Sequence, residues 1–191
     1  MEAVSPVLDN GANWEVEIDT FWEAMRAVFH MPQRAKACGS HVHVSRGKNK
    51  RFTLNELKTI GYGIAVYENL VLDLLMANRQ ENPYCKPNTV NSAQLQRCGR
   101  NRTAIGNVIR AATTPEALRD VMQSNRYVLW NFDHVATGDS GTIEFRGGRC
   151  LRGEVRTKRW IAFAVAFIHA MLRLVSLPNN MQLKVLGPGI I

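Results

Sequence analysis

The sequence predicts an α+β protein in which helices pack on one side of a mostly antiparallel sheet. Three observations carry that prediction. Apolar residues recur at helical spacing over residues 13–31 and again over 53–77. Beyond Arg126 the period shortens to two, and "RYVLWNF" and "GTIEFRG" read as the strands of a hairpin. The resulting order is strand, helix, strand, long helix, loop, helix, hairpin, helix, an α+β pattern without repeats.

Each element follows from its residues. The opening "MEAVS" is a candidate strand. Residues 13–31 place Ile18, Phe21, Trp22, Met25, Val28 and Phe29 on one helical face, and Pro32 stops the helix. The short stretch "HVHVS" alternates like a strand. Thr53-Leu54-Asn55-Glu56 is a capping box, threonine at the cap and glutamate three residues on. It opens a long helix to about residue 77, with Leu57, Ile60, Ile64, Leu70, Val71, Leu74 and Leu75 as its apolar face. Residues 78–98 are rich in Asn, Pro and Gln and read as an ordered loop, with a lid as one use. Thr114-Pro115 starts another helix, whose buried side is Leu118, Val121 and Met122. The turn residues of "DHVATGDSG" join the hairpin, and residues 160–174 close the chain as a helix. Trp130, Trp160 and His169 are expected in the core, and Cys38 against Gly39. His134 is expected in solvent, and Glu68 in an ion pair or on the helix surface.

The 191 residues suit a single domain spanning 1–191. With 46% hydrophobic and 21% charged residues, the chain is not disordered. The four cysteines form no CxxC pair, which excludes a zinc ribbon and a disulfide scaffold and points to reduced thiols in the cytoplasm. The most apolar run, residues 160–175, contains His169 and Arg173 and is shorter than the ~20 residues of a membrane span. A net charge of +8 fits either nucleic acid or an anionic small substrate. The basic clusters at 46–51, 97–110 and 146–159 lack interleaved aromatics, so a nucleic-acid partner is not expected.

The strands carry the chemistry. In "HVHVS", Val42 and Val44 share one face while His41, His43 and Ser45 share the other. In "TIEFR", Ile143 and Phe145 share one face while Thr142, Glu144 and Arg146 share the other. If both strands lie in one sheet with their polar faces together, two imidazoles, a carboxylate and a guanidinium meet. Carboxylates are hard ligands for Mg²⁺, arginine forks onto phosphate oxygens, and histidine serves either role. The competing reading is ordinary: antiparallel sheets often leave one face to water.

"CGSHVHVS", a long helix, "ANRQENPYC", "NRYVLWNF" and "GTIEFRGG", in that order after "EAVSPVL", resemble the amidoligase family. That family is a branch of the carboxylate–amine ligases, which include glutamine synthetase and glutamate–cysteine ligase. The resemblance covers residues 2–174. It implies a glutamine synthetase-like catalytic fold with a curved sheet, and ATP with Mg²⁺ or Mn²⁺ as cofactors. It also implies a small-molecule carboxylate and an amine as substrates, joined through an acyl phosphate. By resemblance, Glu2, Glu144 and His41 would be metal ligands, and His41, His43, Glu144 and Arg146 the catalytic set. Arg79, Arg126, Asn131 and Ser45 would contact the nucleotide or substrate.

Members of the family carry a further glutamate-bearing strand upstream of "EAVSPVL", so a truncated N terminus is expected here. The carboxylates of "WEVEID" do not replace that strand, because they fall where the family has a helix. A missing strand leaves an open sheet edge, which invites association into a homo-oligomer. Two alternatives stay open beside an active ligase: an inactive scaffold relative, and a basic module for nucleic acid or an acidic partner.

Overall fold

The computed structural model describes residues 3–9, 11, 13–30 and 38–175. Among them are eight α-helices and three strands: α1 (Trp14–Val28), β1 (Gly39–Val44), α2 (Leu54–Asp73), α3 (Ala77–Gln80), α4 (Asn88–Asn91), α5 (Ala93–Cys98), α6 (Arg102–Ala111), α7 (Pro115–Met122), β2 (Trp130–Asn131), β3 (Ile143–Arg149) and α8 (Glu154–Val175). A 3-10 turn at Asp133–Val135 follows β2. The strands form one antiparallel sheet in the order β1-β3-β2. The class is therefore α+β, as the sequence predicts. Pro32 and the "MEAVS" residues Met1 and Glu2 lie outside the described residues.

β3 is central because both of its faces are spoken for. Ile143 and Phe145 are fully buried on one side, and Glu144 is buried on the other. The Phe145 ring lies 4.7 Å from that of Trp130, its neighbour on β2, and 5.5 and 5.4 Å from Trp160 and Phe163 of α8. Phe167, one turn further along α8, stacks on Trp130 at 5.0 Å. Aromatic pairs at such spacings add to the area they bury. Spacing of i, i+3 and i+7 puts Trp160, Phe163 and Phe167 on one side of α8, which is why this helix covers the sheet. α1 in turn packs on α8, through Trp22 Nε1 donating to Thr157 Oγ1 at 2.8 Å and ion pairs of Arg26 with Glu154 and Lys158 with Asp19.

The register contains one irregularity. Val42 pairs with Phe145 and Ser40 with Gly148, so His41 alone faces Arg146 and Gly147. β3 thus bulges beside His41, and bulges re-aim side chains locally. Gly147 is required there: a Cβ would sit 2.6 Å from Phe145 Cζ and 2.7 Å from Leu129 Cδ1.

Several expectations are revised. The capping box at Thr53 forms with both of its hydrogen bonds, but the helix ends at Asp73, and Leu70 and Leu74 are exposed. Residues 78–98, expected as loop, hold most of α3 and all of α4 and α5; the Ser92 hydroxyl caps α5 by accepting from Leu95 N–H. Helix α6 was not anticipated, although Asn101 caps it and Ile105 and Ile109 are buried at i, i+4. "RYVLWNF" contributes only two residues to the sheet. Upstream of them Leu129 N–H donates to Lys86 O at 2.8 Å, so the segment pairs with the 86 region before it joins β3. His169, expected in the core, is exposed on α8, and Trp160 is only partly buried.

Replacing Gly147 with alanine overpacks the junction of Phe145, Leu129 and Leu75. It is expected to destabilise the chain by about 1–3 kcal/mol, read as a lower urea midpoint at unchanged slope.

Candidate functional site

Antiparallel pairing sets Glu144 directly between His43 on β1 and Asn131 on β2. All three side chains share the sheet face opposite the aromatic cluster. The Glu144 side chain is 3% exposed, against 35% for His41 and 45% for His43. Histidines thus form the wet rim of this face and the carboxylate its floor.

A buried carboxylate needs its lone pairs filled. His41 Nδ1 lies 2.9 Å from Oε1, Arg146 Nη1 lies 3.0 Å from Oε1 and 3.2 Å from Oε2, and Asn131 Nδ2 donates to Oε2 at 2.7 Å. Burial pushes the Glu144 pKa up, but the bonds from His41 and Asn131 and the Arg146 charge outweigh it and bring the pKa down to about 2. His43 Nε2 stands 3.7 Å from Oε1. Burial is the main cause of its lowered pKa, with His134, His41 and Arg146 adding to it against the opposing pull of Glu144.

The network continues inward. Asn131 Oδ1 accepts from Gln123 Nε2 at 2.8 Å and from the Asp133 N–H at 3.0 Å. Gln123 Nε2 also donates to Asp133 Oδ1 at 2.9 Å, while its Oε1 accepts from the Phe132 N–H at 2.6 Å. Buried Asn88 donates to the carbonyls of Met122 and Trp130 and accepts from the Trp130 N–H. These two amides fix the short β2, and through it the amide that holds Glu144.

Arg79 is 3% exposed, and Nη2 donates to the Arg146 carbonyl at 2.7 Å. Gly39 makes room for it: a Cβ there would come within 2.7 Å of Nη2. Its Nε is buried with no hydrogen-bond partner, and among the described residues it has no ion-pair partner. Arg126 stands apart, exposed, with its guanidinium over the Tyr127 ring. Ser45 is exposed one residue past β1, and Glu2 lies outside the described residues. Glu68 is buried and, among the described residues, has no ion pair; it accepts from the hydroxyl and the N–H of Thr89, and burial raises its pKa.

Sequence reasoning missed His134. It is half-buried, its ring 5.2 Å from that of His43, and one ligand atom from each of His43, His134 and Glu144 falls within 4.8 Å of the others. Its signal was hidden, since nothing in a turn sequence says which strand the turn folds over. Asn88 and Gln123 were missed for a similar reason, being polar residues at helix ends whose burial is a tertiary matter.

The donor set can be tested against Mg²⁺. That ion takes oxygen ligands in near-octahedral order. This cluster offers one carboxylate and two imidazoles. It fits Mg²⁺ only as a single anchoring carboxylate beside ligands brought by a nucleotide. Two surface hollows, of about 340 and 280 Å³, are lined by other residues.

Fold and site together describe an α+β protein that arrays imidazole, carboxylate and guanidinium groups on one face of a small sheet. Residues 1–168 match the family described as "Putative amidoligase enzyme", and the chain belongs to that family. No curated protein matches the chain, and no solved structure does. Among the described residues, no helix is long and apolar enough to cross a membrane.

Glu144 makes acid sensitivity specific. With its folded pKa held to about 2 against an ordinary 4.5, the charged form stabilises the fold above pH 4.5. That contribution, on the order of 3 kcal/mol, is lost as pH falls from 4.5 through 2. In urea melts at stepped pH, Glu144→Gln should start less stable at neutrality and lose less stability across that window than the parent.

Proposed function

We propose that this chain is the catalytic part of an ATP-dependent carboxylate–amine ligase. The observation that carries the reading is the Glu144 carboxylate, held by His41, Asn131 and Arg146 on a polar sheet face, in a member of the amidoligase family. In this reaction a substrate carboxylate oxygen attacks the γ-phosphorus of ATP, releasing ADP and leaving an acyl phosphate. An amine then attacks the acyl carbon, phosphate departs, and the amine loses a proton as the amide forms. Phosphoryl transfer is mostly positioning and charge neutralisation, which is work for fixed cationic groups.

Each residue has a part in this reading. Arg146 and Arg79 receive anionic oxygens. A buried guanidinium with an unpaired Nε and, among the described residues, no ion-pair partner supports that role for Arg79, because buried charges are otherwise paired. His41 spends Nδ1 on Glu144 and keeps Nε2 for a ligand. His43, held neutral, is suited to take the proton that the amine releases. Ser45 and Arg126, outside the central cluster, serve the periphery of the nucleotide or substrate. Asn131 orients Glu144. Mg²⁺ or Mn²⁺ accompanying ATP would neutralise phosphate charge, with Glu144 and, by resemblance, Glu2 and His41 as its protein contacts. A glutamine synthetase-like curved sheet, a cytoplasmic location where ATP is found, and association through the β1 edge belong to the same reading.

The test is ADP release on mixing the protein with Mg·ATP, amino-acid carboxylates and amines. The parent should release ADP only when both co-substrates are present. Glu144→Gln and His41→Ala should each lower the rate by about 100-fold or more. Unchanged rates in both variants, with folding checked by circular dichroism, would remove the proposal.

A further inference from the structure

We propose that His43, His134 and Glu144 form a binding site for a borderline transition-metal ion of the Zn²⁺/Co²⁺ class, filled without nucleotide and selective against Mg²⁺. The site shares the sheet face of the ligase reading but rests on donor geometry alone.

Two imidazoles and one carboxylate are a donor set that Zn²⁺ enzymes use when they keep a coordination position open. Imidazole selects Zn²⁺, Fe²⁺, Ni²⁺ and Cu²⁺, whereas all-oxygen sites select Mg²⁺. Ligands about 2.0–2.1 Å from a tetrahedral ion stand roughly 3.3 Å apart. His43 Nε2 and Glu144 Oε1 are already 3.7 Å apart, and the three ligand atoms lie within 4.8 Å of one another. Closing around an ion asks for side-chain adjustment only.

The groups behind the ligands match what metal histidines need. His43 Nδ1 is 3.2 Å from Thr142 Oγ1, which is 2.9 Å from Ser140 Oγ. With its hydrogen on Nδ1, given to Thr142, the ring turns an Nε2 lone pair toward Glu144, the outer-shell arrangement that fixes a ligand's tautomer. On the carboxylate, Arg146 Nη1 and Asn131 Nδ2 keep Oε2, while Oε1, which also accepts from His41 Nδ1, turns a remaining lone pair to the ion.

His134 is carried by a tied-down segment. Arg51 Nη2 donates to the carbonyls of Ala136 and Asp139, and Glu116 accepts from the Thr137 N–H. The Gly141 N–H donates to the His134 carbonyl itself, at 2.8 Å. The third ligand is thus preorganised over the end of β1, where an unconstrained turn would leave it in water.

The experiment titrates the reduced full chain with Co²⁺ near neutral pH, then displaces it with Zn²⁺. One Co²⁺ per chain is expected, with visible bands of low-coordinate Co²⁺ and no thiolate charge-transfer band. His134→Asn should weaken binding at least about tenfold, Thr142→Val should weaken it less, and His169→Ala should leave it unchanged. Millimolar Mg²⁺ should not displace the ion. In the unmutated chain, Zn²⁺ should shift the ring resonances of His43 and His134, and not those of His30 and His169. Equal affinity in His134→Asn, a thiolate band, displacement by Mg²⁺, or an unmoved His134 resonance would each overturn the proposal. ADP release assayed with Mg²⁺ in the same His134→Asn protein separates the two readings. Retained release with equal Co²⁺ affinity sinks the metal site and leaves the ligase. Absent release in the parent with intact Co²⁺ binding does the reverse.

Discussion

A single buried carboxylate organises this molecule. Glu144 sits near the start of the middle strand, almost without solvent, and ionised. An isolated charge there would be prohibitive, so donors must arrive from three directions. Each donor dictates a piece of the fold. His41 requires β1 beside β3. Asn131 requires β2 on the other side, however short. Arg146 requires β3 to carry on past Phe145 into the bulge, where it and Gly147 together face His41. The two-residue length of β2 makes sense in these terms, since its task is to deliver one amide and one indole.

The opposite face of the same strand supplies rigidity. Phe145 follows Glu144 directly and lies against Trp130, Trp160 and Phe163. Alternation makes the aromatic cluster and the polar cluster two sides of one strand, so the packing energy of α8 is spent in fixing the carboxylate. Buried polar networks hold position only when every member is satisfied. Here Gln123 and Asn88 complete the satisfaction, and both are anchored beside α7 and α4 rather than in the sheet.

What could be read from the sequence follows from the range of the interactions. Alternation in "HVHVS" and "TIEFR" is local, so the faces of both strands were legible, and with them the grouping of His41, His43, Glu144 and Arg146. The capping box at Thr53 is equally local. Register is not: that His43 and Asn131 flank Glu144 depends on how three strands distant in sequence pair. Residues 78–98 read as loop because their helices are too short for a period to show; side-chain caps such as Ser92 hold them. In α6, an Asn cap and an Ile pair were present but were outweighed by the arginines around them. His134 was illegible because Arg51, far upstream, decides where its turn lies.

The sheet face also has a direction. At one end, near Gly39 and the bulge, lies the guanidinium of Arg79, donating to the Arg146 carbonyl. Level with Glu144, across on β1, lies His43, and the His134 ring is 5.2 Å from it. Glu144 joins the two, hydrogen-bonded to Arg146 and His41 and 3.7 Å from His43 Nε2. In the two proposals, anionic oxygens would gain beside Arg79 and a metal ion beside His43 and His134. A ligand carrying both, an anion with its cation, would lie along the strands with Glu144 beneath the join. The carboxylate's charge would then be useful twice: it balances the Arg146 guanidinium bonded to it, and it would give the ion an anionic ligand.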